Sequence, residues 1–344
     1  MKNWTLALAE GAVFSREDMA VIADRLLSAE ASDEEKADFL EAFHARGERP
    51  EEITALALAF LGKAEPFEAD RALGPFLDVC GTGGDKLGLF NISTAVMFVV
   101  AGAGARVVKH GNRGITSRSG GADVLETLGI SIELPHDKLA AMLEEAGATF
   151  LFAPRFHPTF KSVAPARKLL ASRGKASVFN MLGPLLNPAR PEHQLAGVFS
   201  PKLVPLYAQI LPGLGRREAW VVHGRTAQGG VMDEISTLGP PTIAEVSGGE
   251  VREAEFDAAK YVPQPAGYDA LLGGDASENA RILVALLSGE TQGPARDIVL
   301  INAAGALQAA GVAEGWDEAL SRAAESIDSG AAMRVLAGMR RLSA

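Results

Sequence analysis

Five short clusters carry the residue types that hold anions or hard metal ions. The first, Gly81-Thr82-Gly83-Gly84-Asp85, directly follows the apolar run Phe76-Leu77-Asp78-Val79-Cys80. Glycine has no Cβ, so the backbone N–H groups of such a loop can close on a phosphate. The familiar nucleotide cradles are absent: there is no G-x-x-x-x-G-K-[ST], and Lys86 stands where G-x-G-x-x-G needs its last glycine. Taken alone, the cluster is read equally well as a tight turn.

The second cluster, Asn91-Ile92-Ser93-Thr94, places an amide and two hydroxyls at an expected helix start, where free N–H groups and the helix dipole favour phosphate. An ordinary helix cap would use the same residues. The third, Lys109-His110-Gly111-Asn112-Arg113-Gly114, gathers two cations, an imidazole and an amide after another apolar run. The fourth, Ser117-Arg118-Ser119-Gly120-Gly121-Ala122-Asp123, opens a further helix as a second anion nest. Two anion sites beside one crevice suit a substrate with phosphates at both ends. The fifth is Asp233-Glu234, two hard oxygen donors of the kind magnesium takes together with substrate phosphates. A lone acidic pair is usually a surface turn, and only its company raises it to a metal candidate.

Positioning these clusters requires strands that end beneath them. Strands are expected at Phe76–Cys80, Ala105–Val108, Thr149–Phe152, Ala219–Val222 and Thr242–Val246, with helices from about Ser93, around Asp123–Leu128, and through the tail from Ser277, including 298–310 and 316–329. Alternating strand and helix predicts an α/β domain with a mostly parallel sheet, whose ligands bind beyond the strands' carboxyl ends. Ahead of it the chain reads as helices only. Ser15 to Asp18 and Ser32 to Glu35 have the form of capping boxes, and Pro50 opens an apolar helix through Leu61. The expected fold is a small all-helical N-terminal domain, 1–72, and a large α/β domain, 73–344.

The whole composition supports a folded, non-nucleic-acid reading. Of 344 residues, 47% are hydrophobic, ample for a core, and the net charge of −10 argues against a partner recognised through its phosphate backbone. One cysteine, Cys80, permits no internal disulfide. The apolar stretch after Met1 is cut short by Glu10, and Arg106 closes the run Phe98–Gly104, so neither a signal peptide nor a membrane span is expected. A cytoplasmic location follows as the plain expectation.

In this order, the five clusters, with Phe179-Asn180-Met181-Leu182-Gly183-Pro184-Leu185-Leu186-Asn187-Pro188 and the helix entry Gly274–Ala280, resemble the motif series of the anthranilate phosphoribosyltransferase family across nearly the whole chain. The resemblance implies transfer of a phosphoribosyl group from phosphoribosyl pyrophosphate to anthranilate in tryptophan biosynthesis. It also implies two magnesium ions and a homodimer formed through the helical part, joined by some of 163–190. By motif, Gly81, Gly84, Asp85, Asn91, Ile92, Ser93, Thr94, Lys109, Asn112, Arg113, Ser117 and Gly121 would hold phosphoribosyl pyrophosphate. Gly81, His110, Asn112, His157 and Arg167 would serve anthranilate, and Ser93, Asp233 and Glu234 magnesium. No catalytic base is assigned; His110 is the nearest candidate.

Three departures from the family pattern stand out. Leu89 replaces a common hydroxyl residue, Gly121 a frequent serine, and Leu170–Ala176 is longer than in many relatives. Two rivals share the architecture: a pyrimidine nucleoside phosphorylase, which would not need the acidic pair, and a non-enzymatic nucleic-acid-binding relative, which the charge opposes.

Overall fold

The computed structural model describes residues 1–84, 87–114, 118–262 and 267–344. Four helices lead: α1 (Lys2–Ala9), α2 (Arg16–Leu27), α3 (Asp33–Arg46) and α4 (Pro50–Leu61). Both capping boxes form. The Ser15 and Ser32 side chains accept from the Asp18 and Glu35 N–H groups, and each acid bonds back to its cap's backbone. Pro50 occupies the first turn of α4, with Glu51 and Glu52 behind it.

The alternating part follows. β1 (Phe76–Gly81), α5 (Ile92–Gly102), β2 (Arg106–Gly111), α6 (Gly121–Thr127), α7 (His136–Ala146) and β3 (Ala148–Phe152) make its first half. Next come α8 (Ala153–Phe156), α9 (Ala164–Ser172), β4 (His193–Gly197), α10 (Leu203–Gly213), β5 (Glu218–Arg225), β6 (Val231–Met232), β7 (Thr242–Ser247) and β8 (Glu250–Ala254). Four helices close the chain: α11 (Ala276–Leu287), α12 (Pro294–Ala309), α13 (Gly315–Asp328) and α14 (Ala331–Ser343).

The strand order is β3-β2-β1-β4-β5-β7-β8, with β6 paired to β5. The five strands from β3 to β5 are parallel, while β6, β7 and β8 pair antiparallel. From β1 the chain builds outward to β2 and β3, then returns to lay β4 on the other side of β1. The order therefore reverses between β1 and β4, where an open α/β sheet has its binding crevice.

Alternate side chains of the central strands feed two cores. Leu195, Trp220, Val222 and Ile243 join the core with α5 and α12, whereas Ala196, Ala219, Val221 and Ala244 join the one with α1–α4 and α10. That second core also takes in Val163, Ala166 and Leu170 and the segment Val178–Leu186. Lys36 donates to Ser162 O at 2.8 Å and the Ser162 hydroxyl to Leu27 O at 2.7 Å, tying the same stretch to α2 and α3.

Four strands depart from expectation. β4 begins His193-Gln194, which breaks its apolar run, yet Gln194 is fully buried because it donates to Pro184 O and accepts from Arg216. β6 has only two residues, and β8 is a polar, exposed edge strand. β2 runs on to Gly111 instead of stopping at Val108, so Lys109 and His110 are strand residues, paired with Phe150 and Leu151, and not part of a loop. Their polar side chains disguise a buried strand end.

Candidate active site

β1 ends at Gly81, and its loop meets the acidic pair. Asp233 Oδ2 accepts from the Gly83 N–H at 2.7 Å. The approach is close enough that a Cβ on Gly81 would lie 2.1 Å from Asp233 Oδ2, and one on Gly197, at the end of β4, 1.7 Å from the Asp233 carbonyl oxygen. At Gly197 only glycine fits against that backbone, and at Gly81 a larger residue would displace the carboxylate. The Thr82 hydroxyl accepts from the Phe199 N–H at 3.0 Å, fastening the loop to the chain beyond β4.

The acidic pair is held from behind. β6 pairs Met232 with Gly224, and a Cβ on Gly224 would come within 2.5 Å of the Glu234 carbonyl oxygen. Asn302, fully buried in α12, accepts from the Ile235 N–H at 2.8 Å and donates to the Ile235 carbonyl at 3.0 Å. Asp233-Glu234 is therefore a fixed feature at the crevice rather than an ordinary surface turn.

Opposite lies the α5 terminus. The Asn91 side chain does not cap α5. Instead it donates to Ser119 O at 3.3 Å and accepts from Asn279 at 2.8 Å, and Asn279 in turn accepts from the Gly274 N–H. Lys109 is buried, its ammonium donating to the Val79 carbonyl and, at 3.2 Å, to the Ser93 hydroxyl. The α6 terminus packs here as well: a Cβ on Gly121 would stand 3.1 Å from Thr94 Oγ1 and 3.9 Å from Lys109 Cε. Ser93, Thr94, Lys109 and Gly121 thus form one wall, with backbone N–H groups from two helix starts.

A second patch gathers the histidines. The His110 Nδ1 lies 3.3 Å from Gly183 O and the His157 Nε2 2.8 Å from Leu186 O. A carbonyl only accepts, so these bonds assign the protons to Nδ1 of His110 and Nε2 of His157. The rings stand 5.4 Å apart. Burial, and then His157, push the His110 imidazolium down to about 3, so the ring is neutral near pH 7. Its buried Nε2 has no hydrogen-bond partner among the described residues. Arg167, half-buried in α9, lies over the Phe179 ring at 5.3 Å, and burial lowers its guanidinium's pKa.

Two domain families match the chain: "Glycosyl transferase family, helical bundle domain" over residues 2–64 and "Glycosyl transferase family, a/b domain" over 73–333. An anthranilate phosphoribosyltransferase of Roseiflexus castenholzii is 43% identical over 97% of this chain and 95% of its own length. One from Moorella thermoacetica is 45% identical over 96% and 94%. The chain belongs to the anthranilate phosphoribosyltransferase family. Among solved structures of that family, the Thermus thermophilus enzyme superimposes with a TM-score of 0.89 at 38% identity, covering 99% of both chains. The Saccharomyces cerevisiae enzyme in complex with PRPP and Mg superimposes at 0.86 and 28% identity, over 99% of this chain and 97% of that one.

Several residues singled out from this family's motifs sit differently from the simplest reading. Arg113 is exposed and turns its guanidinium to Glu126 and Asp123 of α6, away from Ser93 and Lys109. Within the second nest Asp123 Oδ2 accepts from the Gly120 N–H and, from the preceding loop, the Gly114 N–H, each at 2.9 Å. Asn112 is exposed, its side chain accepting from the Arg113 N–H at 2.7 Å and its carbonyl from the Ala122 N–H at 3.3 Å. Gly84 is exposed at the loop's outer edge. Asp85 and Ser117 lie outside the described residues.

The family departures have local explanations. Leu89 packs its side chain on the large core and bridges to Leu272, an apolar role where the family commonly keeps a hydroxyl. The long stretch 170–176 ends α9, and its Arg173 and Lys175 pair with Asp38 and Glu41 of α3. Gly197, Gly224 and Asn302 escaped sequence reasoning, and Asn279 entered it only as part of the Gly274–Ala280 helix entry, with no role of its own. The two glycines close apolar strands, a signal that could have marked close approach; the two asparagines lie within helices and carry no local sign.

Proposed function

We propose that the crevice beyond β1, β2 and β4 carries out the reaction for which the family is named, joining anthranilate to phosphoribosyl pyrophosphate with release of pyrophosphate. The observation that carries this reading is the contact between Asp233 and the Gly81–Gly83 turn, which brings a carboxylate onto a backbone phosphate cradle. The donors across the crevice suit the same ligand: Ser93, Thr94, Lys109 and the α6 terminus at Gly121 would receive phosphate oxygens. Ile92 contributes backbone at the same helix start, Asn91 holds the two helix starts together, and Gly81 and Gly84 admit the ligand to the loop.

Magnesium fits the donor set, with Asp233, Glu234 and Ser93 as oxygen ligands and the substrate completing the shell; when bound it would neutralise charge on the departing pyrophosphate. Two ions are the proposed number. The protein's own part is to fix both reactants, so that the neutral anthranilate amine meets the anomeric carbon in line. With Lys109 and the helix starts fixed in advance by their own hydrogen bonds, little reorganisation would accompany departure of the leaving group.

On the acceptor side, His110, His157, Asn112 and Arg167 form the proposed anthranilate surface, with Gly81 between the two substrates. A guanidinium suits the carboxylate of anthranilate, and the unshared Nε2 lone pair of His110 suits its amine. At a pKa of about 3, His110 orients the amine far better than it removes a proton.

A homodimer through the helical part is also proposed. Leu6, 67% exposed, and Val21, 54% exposed, leave apolar side chains uncovered on α1 and α2. No helix among the described residues is long and apolar enough to cross a membrane; the proposed location is the cytoplasm. The deciding experiment follows anthranilate fluorescence with phosphoribosyl pyrophosphate and magnesium. Consumption that stops on chelation is expected, and a chain that consumes no anthranilate under these conditions overturns the reading.

A further inference from the structure

β1 and β2 both continue to a terminal glycine, yet their backbone pairing stops early. Registered partners are Phe76 with Arg106 and Leu77 with Val107. On their other sides, β1 pairs with β4 to Gly81 and β2 with β3 to Gly111. In the upper half of the seam, side chains take over from the ladder. The Asp78 carboxylate, fully buried on β1, accepts from the His110 N–H at 3.2 Å. Reciprocally, the Lys109 ammonium of β2 donates to the Val79 carbonyl. Each strand thus reaches across with one side chain to the other's main chain where the registered pairing has ended.

We propose that Asp78 is a positioning residue for the acceptor side of the reaction: it fixes the main chain of His110 at the open seam between β1 and β2. The inference rests on the functional reading above. Lys109 needs no help from Asp78, because Val79 and Ser93 hold its ammonium. His110, by contrast, has its ring hydrogen-bonded among the described residues only to Gly183, and its backbone N–H donates to the carboxylate. Burial pushes the Asp78 carboxyl above its ordinary range, against the opposing pull of Lys109, Asn187, the His110 N–H and Arg216; Oδ1 is engaged by the His110 N–H, while the buried Oδ2 has no hydrogen-bond partner among the described residues. Asp78 makes no hydrogen bond to the Gly81–Gly83 turn, Asp233, Ser93 or Thr94 and reaches Lys109 only through charge, so its main influence falls on anthranilate.

The experiment compares Asp78→Ala, Asp78→Ser and Asp78→Asn with the wild type. It measures Michaelis constants by anthranilate fluorescence and phosphoribosyl pyrophosphate affinity, with magnesium, by calorimetry. Alanine and serine cannot reach the His110 N–H, and each is expected to raise the anthranilate KM about ten-fold while phosphoribosyl pyrophosphate affinity stays within about three-fold. Asparagine keeps an acceptor oxygen and should restore the anthranilate KM to within about three-fold of wild type. Equal losses for both substrates, an asparagine variant as impaired as alanine, or failure of both alanine and serine variants to fold would each overturn the proposal in favour of a purely structural carboxylate. An inactive wild-type chain would instead overturn the reaction itself, and the proposal with it.

Discussion

Asp233 and Gly83 are 150 residues apart in sequence and joined by a 2.7 Å hydrogen bond from the glycine N–H to the carboxylate. The bond brings the proposed magnesium ligand and the proposed phosphate-binding backbone to one place. Replacing both carboxylates, Asp233→Asn with Glu234→Gln, leaves an amide oxygen that can still accept from Gly83, so the fold should persist. Activity should fall on the order of a hundred-fold or more, with poor rescue by excess magnesium. Near-normal turnover across a magnesium titration would remove the acidic pair from the metal site.

Gly81 and Gly197 make contrasting partners for the same aspartate. A methyl at residue 197 would meet the Asp233 backbone carbonyl, which cannot swing aside, whereas one at residue 81 would meet the carboxylate end of a side chain that can. Gly197→Ala should therefore cost stability, on the order of 1–3 kcal/mol in urea unfolding. Gly81→Ala should leave stability nearer wild type and lose activity by displacing the carboxylate. The reverse pattern would mean that the carboxylate's position is immaterial to turnover.

Much of this arrangement was legible in the sequence, and the gaps have physical causes. Ser15 with Asp18 and Ser32 with Glu35 announced their helices because capping is a local contact between residues three apart. Phe76–Cys80 and Ala219–Val222 announced strands because their apolar runs are nearly unbroken. His193-Gln194 hid β4, since Gln194 is satisfied by Pro184 and Arg216, partners that only the fold supplies. Lys109 was legible as a candidate for the site but not as part of a strand, for the same reason. Nothing near Asn302 or Asn279 in sequence indicates that they brace Ile235 and Asn91.

The buried histidines set the acid side of the stability profile. In the folded chain His110 titrates at about 3, whereas in the unfolded chain it takes a proton near its ordinary 6.5. The unfolded state then binds more protons between those values, so stability is full above about pH 6.5 and is lost as pH falls toward 3. His157, His193 and His223 are lowered as well, while the raised Asp78 acts in the opposite direction. Between pH 6.5 and 5, His110 alone should contribute a loss of about 2 kcal/mol. Unfolding curves at the two pH values should show that loss in the wild type and a smaller one in His110→Asn. Equal losses would mean that His110 takes up its proton in the folded state.

Arg167 is the last residue whose role can be separated by experiment, and its neighbours sharpen the test. The extended stretch after α9 offers Arg173 and Lys175 as rival cations for the anthranilate carboxylate. Both are engaged elsewhere: Arg173 bonds Asp38 at 3.0 Å and Lys175 bonds Glu41 at 3.1 Å, on the α3 side. Arg167 instead rests half-buried over the Phe179 ring, where a carboxylate ligand would meet reduced solvent screening. Arg167→Ala should therefore weaken anthranilate by roughly ten- to a hundred-fold, the loss of a charge-assisted contact worth about 1.5–3 kcal/mol. The change should fall on the anthranilate KM if the contact is equal in ground and transition states, with phosphoribosyl pyrophosphate affinity preserved. Arg173→Ala and Lys175→Ala lose only exposed ion pairs and should alter stability by less than about 1 kcal/mol and anthranilate binding hardly at all. An unaffected Arg167→Ala beside a crippled Arg173→Ala would reassign the carboxylate to the extension and place the acceptor nearer α3.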